Sequence, residues 1–168
     1  MEKANKVEAP MKKTNIDFSD LNFEDFKRLA SDPTLSRHEK VGFPDSYREG
    51  KEDLIFSDIK NKLRTLNRDK AVALDNGSGC SKLPLMLSAA CRNKSGQVHF
   101  VDSKEMLDLL PDSPHIHKWA GSFPDVPDLF NVLKEKVDTI VVYSVIQYVF
   151  AEGNLWDFVD RCLLLLNE

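Results

Sequence analysis

Two glycines one residue apart stand directly behind an acid in the stretch Leu74-Asp75-Asn76-Gly77-Ser78-Gly79, and a second acid, Asp102, follows about 20 residues further on. Glycine lets a backbone approach a ligand without a Cβ in the way. A helix beginning just after such a turn offers free N–H groups and a partial positive charge. An acid at the second position suits ribose hydroxyls. A dinucleotide fingerprint needs a third glycine, G-x-G-x-x-G, and Lys82 stands there instead. The phosphate loop G-x-x-x-x-G-K-[ST] is absent as well. Asp75 would repel a pyrophosphate, and Asp102 supports a nucleoside ligand without choosing between a dinucleotide and another nucleoside.

Other residues invite a chemical reading. His115 and His117 alternate on an expected strand and so share a face, but no third metal ligand accompanies them and no metal is expected. Cys80 sits in the glycine turn, where it reads as a small packing residue. Tyr47-Arg48 could close over a ligand, with Arg48 meeting a carboxylate. Trp119 and Trp156 read as core or interface residues.

The elements that must hold these residues follow from periodicity. Leu21, Phe23, Phe26 and Leu29 predict a helix over 20–30, closed by Asp32-Pro33. Gly42 and Pro44 exclude a continuous helix over 36–50. Leu54, Ile55, Ile59, Leu63 and Leu66 predict one from Lys51 to Leu66. The pattern then alternates. Strands are expected at 71–74, 98–101, 116–120 and 139–143, and helices at 82–92, 104–110, 126–135 and 155–166. In the last helix Leu155, Val159, Cys162, Leu163 and Leu166 share a face, and Gly96 is expected to supply the left-handed turn after the 82–92 helix. Alternation of this kind predicts an α/β fold, a Rossmann-like doubly wound parallel sheet. Its ligands bind at the carboxyl ends of the strands where strand order reverses. The chain divides into a flexible tail (1–19), a helical cap segment (20–66) and the Rossmann-like domain (67–168).

Asp75-Asn76-Gly77-Ser78-Gly79 resembles the D/E-x-G-x-G motif of class I S-adenosylmethionine-dependent methyltransferases. "WAGSFPDV" resembles the family's loop after the third strand, and "DTIVVYSVIQYVF" its fourth strand and following motif. The resemblance covers about residues 71–166. It implies S-adenosyl-L-methionine as cofactor, held by Asp75, Gly77, Ser78, Gly79, Asp102, Ser103, Ser122, Phe123 and Tyr143, with Ser122 or the nearby Asp125 at the adenine. It implies that Tyr143, Ser144 and Gln147 border the region of methyl transfer, where Tyr47, Arg48, Ser144 and Gln147 would meet a small-molecule substrate. "FPDSYREG" together with "YSVIQYVF" is similar to bacterial methyltransferases of sugar or surface-polysaccharide synthesis, which implies a sugar or sugar nucleotide as acceptor. No residue stands out as the general base. Replacing Asp102 by alanine is expected to weaken the ligand and spare the fold.

Composition bounds the rest. A net charge of −4 with scattered lysine and arginine argues against nucleic acid as the main partner. No apolar run is long enough for a membrane span, and no signal-peptide core precedes the domain. Three cysteines without paired spacing read as reduced thiols in a cytoplasmic protein. The family's sheet has further strands beyond the fourth. The apolar "IVVY" is therefore expected to form an open sheet edge, suited to self-association unless further chain or a partner covers it. A catalytically silent nucleotide-binding module and an NAD-linked oxidoreductase are the alternative readings.

Overall fold

The computed structural model describes residues 21–167, so the tail expected over 1–19 lies outside the described residues. Four parallel strands form one sheet in the order β3-β2-β1-β4: β1 (Val72–Asn76), β2 (Gln97–Asp102), β3 (Ile116–Ala120) and β4 (Thr139–Val141). In register, Asp75 lies beside Phe100 on one side and Val141 on the other. Strand alternation sends Ala73, Val98 and Phe100 to one face, where they pack with Leu87 and Cys91 of α5 (Lys82–Asn93) and Phe56 of α4 (Glu52–Lys62). Leu74 and Val101 go to the other face. There they meet Leu129 and Leu133 of α7 (Leu129–Leu133) and Leu165, just beyond α9 (Leu155–Leu163). This is the α/β, Rossmann-like, doubly wound arrangement expected from the alternation.

Three short helices precede α4. They are α1 (Phe23–Ser31), α2 (Arg37–Lys40) and α3 (Asp45–Arg48). Asn22 and Asp25 close a reciprocal capping box at the start of α1, and Ser36 and Glu39 do the same for α2. Lys40, buried, reaches back with its ammonium to the carbonyl of Ala30 at 2.7 Å and so caps the end of α1. His38 ties the group together through Asp45 at 3.1 Å and Glu52 at 2.5 Å. Burial is the largest influence on the Glu52 carboxyl and raises it, but the bond to His38, a backbone hydrogen bond and the charges of His38 and Lys82 together leave it below its usual value. Two more helices complete the fold: α6 (Lys104–Leu107), which α1 packs against, and α8 (Ile146–Glu152).

Several expectations are corrected. The helix expected to Leu66 ends at Lys62, and a 3₁₀ turn follows at Arg64–Asn67. Its buried face is Glu52 and Phe56, while Leu54 is 74% exposed, because Phe56 docks on α5 and His38 holds Glu52. Ser95, not Gly96, takes the left-handed conformation (φ 55°). Glycine is required at position 96 because a Cβ there would come within 2.3 Å of the Ala71 carbonyl oxygen. The fourth strand stops at Val141, ahead of Tyr143. The last helix stops at Leu163, which is exposed, and Phe158 and Leu165 carry the burial instead. Trp156 is 74% exposed and so is not a core residue, whereas Trp119 packs against the Leu74–Val101 face. His115 and His117 part company. His115 lies just before β3 and pairs with Ser88 of α5 and with Ser113, while His117 stacks on His99 with ring centroids 4.5 Å apart.

β4 is the sheet's outer strand, and at its start Val137 forms a parallel bridge with Leu166. Among the described residues no helix is long and apolar enough to cross a membrane.

Candidate functional site

Strand order reverses between β1 and β4, since β1 is followed in the chain by β2 on one side and joined by β4 on the other. A cavity of about 440 Å³ opens at the carboxyl ends of these strands. The glycine turn forms its floor. Gly77 and Gly79 both take left-handed backbone conformations, φ +69° and +62°. A Cβ on Gly77 would come within 2.4 Å of Val145, and one on Gly79 within 2.6 Å of Val41. The glycines thus allow the segment before α8 and the segment after α2 to pack directly on the turn. The turn's N–H groups point to β2: Gly77 donates to the Val101 carbonyl at 2.9 Å, and Gly79 to Asp102 Oδ2 at 2.7 Å. Ser78 makes a longer contact to the same Val101 carbonyl at 3.4 Å. They are therefore committed within the protein rather than free to cradle an anion.

Two carboxyls dominate the electrostatics. Asp75, at the end of β1, is buried. Burial and then the like charge of Asp102 push its carboxyl up to about 7, and no cation or donor among the described residues offsets them. Asp102, at the end of β2, is pushed up to about 6 by burial, although the bonds from the Gly79 and Ser103 N–H groups act the other way. Both line the cavity. Next to them the buried Oδ1 of Asn76 has no hydrogen-bond partner among the described residues. The arrangement favours a ligand that brings positive charge and several hydroxyl or N–H donors.

The opposite wall comes from the helices before α4 and from the chain after β4. Arg48, buried, donates to Ser144 Oγ at 3.2 Å and lies between the rings of Phe43 and Tyr143. Phe26 meets Tyr148 of α8 edge-on at 5.3 Å, which closes this side. Ser122, Phe123 and Asp125 follow β3 and line the cavity, with Phe123 packed on Phe130 and Phe158.

Of the residues singled out in the sequence, Asp75, Gly77, Ser78, Gly79, Asp102, Ser122, Phe123, Tyr143, Arg48 and Ser144 line one cavity. Three lie outside that lining. Ser103 is buried as the cap of α6, accepting from the Met106 N–H. Tyr47 is exposed and stacks on the outside of Phe43. Gln147 is exposed and donates to the Ser144 carbonyl. Sequence reasoning missed the wall supplied by Asn154, Asp157 and Arg161. Their spacing places them on one helical face together with Phe158, which is the signal that could have found them. Cys80 is fully buried against Ala30 and Met106, and burial pushes its thiol up to about 11, so it packs rather than reacts.

No protein-family model matches the chain. No curated protein matches it either. Among solved structures, the chain is similar to a protein of Methanococcus maripaludis proposed to be an S-adenosyl-L-methionine-dependent methyltransferase. The match has a TM-score of 0.54 and 16% identity, and it covers 94% of this chain and 64% of that one. The likeness supports the fold, an α/β Rossmann-like parallel sheet.

Proposed function

We propose that this chain binds S-adenosyl-L-methionine and transfers its methyl group to a small molecule. The observation that carries the reading is the pair Asp75 and Asp102, two buried carboxyls without a cation at the switch point of a parallel sheet. The cofactor's ammonium fits beside Asp75. Its ribose hydroxyls fit the lone pairs that Asp102 retains after accepting from Gly79 and Ser103. Ser122 and Phe123 then border the adenine, and Tyr143 and Ser144 the transfer region. The cofactor supplies an electrophilic methyl on a sulfonium. The chain's own residues orient the two reactants and keep water out through Phe26, Phe43 and Tyr148.

A pyrophosphate cofactor fits poorly. It would bring negative charge against two carboxyls and find the N–H groups of Gly77 and Gly79 already bonded to β2. The acceptor we propose is a sugar or sugar nucleotide, on the similarity of "FPDSYREG" and "YSVIQYVF" to enzymes of that kind.

Calorimetry with S-adenosylmethionine, S-adenosylhomocysteine and NAD tests the cofactor. Heat with either adenosyl compound and none with NAD is expected, and the reverse would overturn the reading. Methyl transfer to a panel of sugars and sugar nucleotides then tests the acceptor.

A further inference from the structure

Among the described residues, no carboxylate answers the charge of Arg48. Its residue is 5% exposed and lines the cavity. Its guanidinium sits 3.9 Å from the Phe43 ring centroid and 5.0 Å from that of Tyr143. Of its five donors, the one hydrogen bond found among the described residues goes to Ser144 Oγ. Its Nε is buried and unpaired. No carboxylate among the described residues forms an ion pair with it. An arginine cannot escape burial by losing its proton, so an unpaired one is costly to keep. The two aromatic rings hold the guanidinium in place while its Nε stays unpaired among the described residues, and a guanidinium offers a fork that matches a planar, bidentate anion. The same cavity holds Asp75 and Asp102, likewise without a cation. A neutral ligand would satisfy neither wall, and a simple cation or anion only one.

We infer that Arg48 is the carboxylate anchor of this cavity, so that the site as a whole reads a ligand carrying both a carboxylate and an ammonium. The inference rests on the cofactor reading for its first candidate source, the amino-acid tail of S-adenosylmethionine; an acidic acceptor is the second. A carboxylate placed against Arg48 Nε and the free guanidinium donors satisfies the orphaned group, while Ser144 keeps its bond.

The test measures binding of S-adenosylhomocysteine, which has the carboxylate, and of 5′-methylthioadenosine, which lacks the amino-acid tail, to the wild type and to Arg48→Gln and Arg48→Lys. Thermal melts of the same proteins with acetate replacing chloride at constant ionic strength report a carboxylate site without any nucleoside. The expected result is at least a tenfold loss of S-adenosylhomocysteine affinity in Arg48→Gln and a smaller loss in Arg48→Lys. Methylthioadenosine should stay within twofold, which also shows that the variants fold. Unchanged S-adenosylhomocysteine binding together with loss of the acetate stabilisation would keep the anchor and assign it to the acceptor. Equal losses for both nucleosides, or no change in any arm, would overturn the inference. If the wild type binds neither nucleoside, the cofactor reading fails by itself, and the acetate arm alone decides whether Arg48 holds a carboxylate.

Discussion

Asp102 gives each of its carboxylate oxygens to a backbone N–H, Oδ2 to Gly79 and Oδ1 to Ser103, both at 2.7 Å. It therefore shapes the glycine turn as well as facing the cavity. Asp102→Ala strands a buried N–H in that turn, so urea denaturation should show a loss of about 1–3 kcal/mol in addition to weaker ligand binding. This replaces the expectation that the fold would be spared; an unchanged midpoint would restore it. Asp75 behaves differently, because nothing among the described residues rewards its charge. Asp75→Asn should leave the free protein as stable as the wild type, or more so, at pH 8, and should weaken S-adenosylhomocysteine binding. A variant that binds as tightly as the wild type would remove the ammonium from Asp75. The acids and glycines were legible in the sequence because they are neighbours along the chain or end adjacent strands. The unanswered charge of Arg48 was not, since it depends on which residues from 43 to 144 surround it.

The cap of short helices is held to the sheet through the turn itself. Arg37 donates to the Cys80 carbonyl at 2.7 Å, and Val41 lies over Gly79. A methyl group at position 79 meets Val41 at 2.6 Å and also faces a backbone at φ +62°, which costs roughly 1–2 kcal/mol by itself. Gly79→Ala should destabilise the protein by more than that figure, and Val41→Ala placed on top should recover part of the difference. Additive effects in this double-mutant cycle would show that the two sites do not press on each other. The elements the sequence hid each have a physical reason. α8 has no one-sided apolar pattern to announce it: Val149 lines the cavity, while Ile146 and Phe150 are 40% and 64% exposed. The phase of α4 was misread because its buried set includes an acid, Glu52, whose partner His38 lies in a different helix.

At the scale of the whole molecule, alternation of strand and helix was enough to indicate a parallel sheet, because each parallel crossover needs a helix. The order β3-β2-β1-β4 was not, since it depends on which side of β1 each crossover lands. That order brings the ends of β1 and β2 together and with them two carboxyls, which makes the stability of the free protein depend on pH. The folded values, about 7 for Asp75 and about 6 for Asp102, lie above the ordinary 3.8. The folded state therefore binds more protons than the unfolded state between about pH 4 and 7. The contribution of these two groups is fully present below about pH 4 and is lost as pH rises through 7, at a rate of at most about 1.4 kcal/mol per pH unit for each carboxyl. An ammonium beside Asp75 reverses the sign, because it favours the ionised carboxyl and releases protons on binding. Affinity for S-adenosylhomocysteine should therefore rise from pH 5 to 7, as the Asp75 carboxyl ionises beside the ligand's ammonium. Thermal melts from pH 5 to 8, with and without ligand, should show the free protein losing stability across that range while the complex holds or gains it near pH 7. In Asp75→Asn the free protein should lose less, and the ligand's advantage should no longer grow with pH. A variant that follows the wild-type curves in both states would place the pH dependence elsewhere in the molecule.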